Sequence, residues 1–91
     1  MKTDDSSNSM FFNNIESALK QYKKYIQFSL IKHNIDITYD QWQVLDTIVN
    51  NVDIKQTEIA EKTSKDTASV TRIIELLNKK GYVARQTDPN N

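Results

Sequence analysis

The segment from Gln56 to Arg85, QTEIAEKTSKDTASVTRIIELLNKKGYVAR, limits the fold more than any other part of the chain. Val70, Ile73, Ile74 and Leu77 fall at the i, i+3, i+4, i+7 spacing of one buried helical stripe. Asp66 stands where an N-cap is wanted and Gly81 where a left-handed C′ residue ends a helix, which predicts a helix over about 66–80. Ahead of it, Gln56–Lys62 reads as a shorter helix and Thr63–Lys65 as a tight polar turn. At about 100° per residue, Thr67, Ala68, Thr71, Arg72 and Glu75 gather on the face away from the apolar stripe.

That second face is small, hydroxylated and partly basic, so it is slim enough to enter a major groove. The Arg72 guanidinium can fork onto a guanine edge or a phosphate. The Thr67 and Thr71 hydroxyls can bond either, or their methyls can meet a thymine methyl, and Ala68 leaves room for the approach. Lys65, at the positive end of the helix, would neutralise a phosphate. Arg85 falls on an expected strand, Tyr82–Gln86, placed for backbone contact on the minor-groove side. The alternative reading of the same pattern is a solvated helix face with no ligand.

At these residues the chain resembles the winged helix-turn-helix of the MarR (multiple antibiotic resistance regulator) family of transcription regulators. The matching pieces are Glu58-Ile59-Ala60, Val70-Thr71-Arg72, Leu77, and Lys80-Gly81-Tyr82-Val83 with Arg85; Asp88-Pro89 stands where the family's wing turns over. The likeness extends upstream through Thr38–Leu45 and covers the first helix by layout. It implies a mainly α fold, a winged helix-turn-helix with a long N-terminal helix and an incomplete β-wing. Two departures are visible: Lys55 replaces the usual Ser or Thr cap, and Asn91 replaces an Asp that orients a wing arginine. The sequence stops in mid-hairpin, so the expectation is either a fragment of a longer regulator or a shortened relative with changed behaviour.

The organisation expected is a disordered N-terminus at 1–9, a dimerisation-layer helix and linker over 10–37, and the DNA-binding domain over 38–91. From about Met10 to His33, Phe12, Ile15, Leu19, Tyr22, Ile26 and Leu30 form one stripe, widened by Phe11, Ala18, Tyr25 and Phe28. So broad an apolar surface is either core or part of a subunit interface; the resemblance implies a homodimer for the full-length parent. Thr38 and Gln41 have capping-box spacing, and Ile37 can staple to Trp42. Trp42, Leu45, Ile48 and Val49 supply the apolar face of the next helix, and Ile54 is placed to pair with the wing. The resemblance also implies a small aromatic effector, for which Tyr22, Ile26, Trp42 and Leu45 would form one wall. As residues they read as core, and they assign no ligand.

Composition narrows the functional classes. The 91 residues contain no cysteine, which excludes disulfides, thiolate metal sites and thiol redox sensing. A single glycine leaves no phosphate-cradling loop. His33 is the sole histidine and reads as a helix-ending residue; with Asp36 and Asp40 it makes only a thin metal site. No enzyme, cofactor or metal is expected. No stretch approaches the roughly 20 apolar residues of a membrane span, and no signal-like region follows the polar start, so a cytoplasmic location is expected. Net charge is zero, but Lys55–Arg85 holds seven basic and four acidic residues, a mild positive bias on the half that would face DNA.

Two functions from different classes remain at this level. One is a sequence-specific regulator that binds double-stranded operator DNA. The other is an interaction module that does not bind DNA, pairs with a full-length relative and blocks its operator binding.

Overall fold

The structure is a computed structural model that describes residues 2–84, with side chains from Ser7 onward. Four helices follow one another: α1 Lys2–Lys32, α2 Tyr39–Asn50, α3 Gln56–Thr63 and α4 Thr67–Lys79. They fall into two compact units, Met1–Tyr39 and Asp40–Asn91.

In the first unit, α1 begins at Lys2 rather than near Met10, so the segment expected to be disordered is helical from Lys2 on. Neither Gly nor Pro occurs between Lys2 and Lys32, and nothing interrupts the i→i−4 ladder. The helix closes on Asn34, whose φ is +57°. The Ile35 amide donates to the Leu30 carbonyl at 2.8 Å and the Asn34 amide to Ile31 at 3.0 Å, a Schellman pair. His33 adds Nδ1–H to the Ser29 carbonyl at 2.8 Å, the helix-ending role expected of it. Tyr39 lies edge-on to Tyr22 at 6.5 Å, with Lys23 Nζ 5.5 Å from its ring centre. Leu30 and Ile37 are buried, whereas Met10, Phe11, Phe12, Leu19, Tyr25 and Phe28 stay exposed. Most of the expected stripe therefore lies open.

In the second unit, Val44, Val70 and Leu77 are fully buried, with Ile59 and Ala60 nearly so. Each of the Val, Leu and Ile side chains among them stabilises the fold by about 1.5–3 kcal/mol. The buried line of α2 runs through Val44, flanked by the half-buried Leu45 and Ile48. It does not run through Val49, which is 71% exposed. At 100° per residue Val44 and Ile48 share one line and Val49 falls a quarter-turn or more beyond it, so the face expected from Trp42, Leu45, Ile48 and Val49 is rotated. The last carbonyls of α2 are satisfied by Asn50 Nδ2 to Asp46 O (2.9 Å) and Asn51 Nδ2 to Thr47 O (2.8 Å).

The expected β-content does not form among the described residues. Ile54, Val83 and Ala84 lie in irregular backbone and no strand is present there. Ile54 and Val83 line one open depression of about 780 Å³ together with Ile48, Ile59 and Ile74, yet they are not joined in a ladder. A strand is defined by its hydrogen-bonded neighbour, and these segments come together without one. Gln86 and the turn expected at 87–91 lie outside the described residues.

Candidate nucleic-acid interface

The geometry of this region is set by how α3 ends and α4 begins. Ser64, at φ +55° and ψ +41°, occupies the left-handed position after α3. Its amide donates to Glu61 O at 3.3 Å, and the Lys65 amide to Ala60 O at 2.9 Å. This Schellman closure turns the chain within three residues and delivers Asp66 in extended conformation to cap α4. The Asp66 carboxylate accepts the Ser69 amide at 2.6 Å. That bond and the Ser69 hydroxyl, with the nearby Arg72 guanidinium, hold the Asp66 carboxyl below the usual carboxylate range. The far end of α4 closes in the same manner. Gly81 at φ +85° lets its amide bond Asn78 O (3.0 Å) and the Tyr82 amide bond Leu77 O (2.9 Å).

The start of α3 is weaker, as its sequence implies. Lys55 has no acceptor to offer the helix. The half of a capping box that does form is the Lys55 amide donating to Glu58 Oε1 at 3.3 Å.

Of the six residues singled out for DNA contact, Thr67, Ala68 and Arg72 are exposed on one face of α4. Glu75, Asn78 and Lys79 continue that face toward its C-terminus. Arg72 Nη2 donates to Ser69 Oγ at 3.4 Å, so the cap residue Asp66, Ser69 and Arg72 form a connected series. Thr71 differs from its expected place: it is half-buried, and its hydroxyl donates to Thr67 O at 2.8 Å while accepting from Gln56 Nε2. With its one proton already used, Thr71 has none to give a base. Lys65 also has a partner, its Nζ lying 3.1 Å from Asp40 Oδ1, with its side chain only 15% exposed. Arg85 lies outside the described residues.

Three participants were not singled out for this site in the sequence: Gln56, Ser69 and Asp40, the last named there only beside His33. Ser69 was recoverable, because the third helical residue after an Asp cap supplies the amide the cap needs. Gln56 and Asp40 carry no such signal; they meet partners 15 and 25 residues away. Among the described residues no group of three or more His, Asp or Glu could hold a metal ion. Among the same residues, no helix is long and apolar enough to cross a membrane. The depression beside α3 includes none of Tyr22, Ile26, Trp42 and Leu45, the residues considered for an effector wall.

Two short helices packed on each other through a three-residue turn, the second carrying an exposed hydroxyl, methyl and guanidinium at its N-terminal half, make a helix-turn-helix module. The MarR family profile matches residues 37–91, more than half of the sequence, and the chain belongs to that family. It therefore carries a MarR-type regulator domain, and the family is one of regulators rather than enzymes. No curated protein and no solved structure matches the chain.

Proposed function

We propose that the protein is a sequence-specific DNA-binding regulator whose α4 enters the major groove with Thr67, Ala68 and Arg72 foremost. The observation that carries this reading is the exposed N-terminal half of α4, held by its Asp66 cap, with Arg72 on the open side. A guanidinium there can meet a guanine edge in bidentate fashion. Lys65 serves as a phosphate contact once it exchanges Asp40 for the DNA backbone, and Arg85 adds a second backbone contact. The full-length parent is expected to work in the cytoplasm as a homodimer reading two half-sites, and a small aromatic effector is compatible with the family resemblance.

The test is selection of duplexes from a random pool, followed by affinity measurements on the selected and a scrambled duplex across a salt series. The reading expects a preferred sequence and an affinity that falls with salt. Retention of no duplex above background, by a chain with native helical content, would rule it out.

A second reading has its own support in α1, where Phe12 is 63% and Leu19 60% exposed. In that reading the chain pairs through α1 with a full-length relative and removes it from its operator. Equimolar mixing decides between the two. The second reading expects loss of the relative's operator binding and no salt-dependent DNA affinity of the chain alone.

A further inference from the structure

We propose that Gln56 and Thr71 form a positioning pair that fixes how α4 presents Thr67 and Arg72, a role that rests on the DNA-binding reading. The Gln56 side-chain amide donates to the Thr71 hydroxyl, which donates onward to the Thr67 carbonyl at 2.8 Å. Gln56 is the first residue of α3, and Thr71 and Thr67 are one turn apart near the start of α4. The series therefore joins the beginning of one helix to the reading end of the other.

Such a pin matters because α3 has only eight residues. α3 and α4 pack on each other, and each brings buried apolar side chains to the core, Ile59 and Ala60 from α3 and Val70 and Leu77 from α4. Apolar contact is non-directional and tolerates sliding and rotation. A hydrogen bond constrains direction, and a bidentate contact from Arg72 needs that constraint. Both side chains of the pair are half-buried, which limits water's competition for the bond. Thr71 is thus a positioning residue, its hydroxyl engaged with Gln56 and Thr67.

The variants are Gln56→Leu, Thr71→Val, the double variant and Thr71→Ser. Each is measured on a selected and a scrambled duplex across salt, with circular dichroism confirming the folded helices. Gln56→Leu and Thr71→Val should each reduce discrimination between the duplexes by roughly two- to tenfold, the worth of one neutral hydrogen bond. The double variant should be no worse than either, and Thr71→Ser, which keeps the hydroxyl, should match wild type. Scrambled-duplex affinity and the salt slope should stay unchanged. Loss in Thr71→Val and Thr71→Ser with Gln56→Leu unaffected would make Thr71 a direct base reader and overturn the proposal. Lower melting temperature with discrimination intact would make the pair merely structural and overturn it equally. Absence of any discrimination by wild type would instead reject the DNA-binding reading, and the positioning role with it. A Gln56 side-chain amide proton that exchanges slowly in wild type and fast in Thr71→Val would still establish the bond in that case.

Discussion

The Asp66 carboxylate accepts the Ser69 amide at 2.6 Å, and the Ser69 hydroxyl in turn accepts from Arg72 at 3.4 Å. One residue thus caps α4 and, through its neighbour, restrains the Arg72 guanidinium on the face proposed to read DNA. The carboxyl is held below its ordinary value of 3.8, first by the Ser69 amide, then by the Ser69 hydroxyl, with a smaller part from Arg72. A depressed carboxyl contributes stability that is present above the unfolded value and lost as pH falls through the folded one. Melting temperature should therefore fall more steeply below about pH 4 in wild type than in Asp66→Asn, which keeps a capping acceptor without the charge. Asp66→Ala should be less stable than both at neutral pH. Equal acid profiles for wild type and Asp66→Asn in thermal melts would remove the charge from the account.

Left-handed backbone at Ser64 and Gly81 gives opposite expectations for exchanging their side chains. Among the described residues, nothing beyond its chain neighbours lies within 4 Å of a Cβ added at Gly81, so the cost of Gly81→Ala comes from its φ of +85°. That cost is about 1 kcal/mol. Ser64 already bears this strain at φ +55° and is exposed. Ser64→Gly relieves it while adding freedom to the unfolded chain, for a net gain of roughly 0–1 kcal/mol. Urea unfolding of the two variants measures both signs. Destabilisation by Ser64→Gly would mean that the serine side chain holds the turn.

The fold was legible where the signal was local. The stripe of Val70 and Leu77, the Asp66 cap and the Gly81 stop lie within one helix and its flanks, and a 3.6-residue period with known cap chemistry reaches that far. Thr71 was misplaced because periodicity puts it near the open face, whereas a partner on α3 turns its hydroxyl inward. The same limit concealed Asp40 beside Lys65: the pair is tertiary, and no spacing rule anticipates it. Tyr82–Ala84 has the composition of a strand, but composition supplies no ladder, and none forms among the described residues.

The pairing of Lys65 with Asp40 makes a prediction about salt. The Asp40 side chain is 65% exposed, so solvent screens the pair from that side and it contributes about 0–1 kcal/mol; Asp40→Asn should leave folding nearly unchanged. It should also free the Lys65 ammonium for a phosphate. The slope of log affinity against log salt should steepen by up to about 0.9, the value for one full phosphate contact, because Asp40 no longer offsets the Lys65 charge at the backbone. In a Lys65→Gln background the same Asp40→Asn change should leave the slope where it was. An identical steepening in both backgrounds would trace it to lost repulsion between Asp40 and DNA.

Substitution of Arg72 addresses the reading face directly. Arg72→Ala should reduce discrimination between selected and scrambled duplexes by ~1–3 kcal/mol, the range for one bidentate base contact. It should also weaken the restraint on Ser69 without unfolding α4, whose Asp66 cap does not depend on it. Affinity for the selected duplex measured by fluorescence anisotropy, beside helical content, separates these effects. A uniform loss on both duplexes, with the salt slope reduced by about one, would assign Arg72 to a phosphate instead.

The open face of α1 predicts association. Phe12 and Leu19 are both more than half exposed and lie within about 20° of each other around the helix. They belong to an arc that includes the exposed Phe11, Ile15, Tyr22 and Tyr25, while Lys20 and Lys24 take the other side and Lys23 borders the arc beside Phe12. An apolar arc of that breadth next to a charged one suits burial against a second helix better than solvation. Sedimentation equilibrium should show a mass that rises with concentration. Phe12→Glu combined with Leu19→Glu should weaken the association at least tenfold, since each buried side chain of this size is worth about 1.5–3 kcal/mol. Because Val44, Val70 and Leu77 form the core of the other unit, its melting transition should survive the double substitution. A wild-type chain that remains monomeric at every concentration, alone and when mixed with a full-length relative, would leave α1 without an interface role.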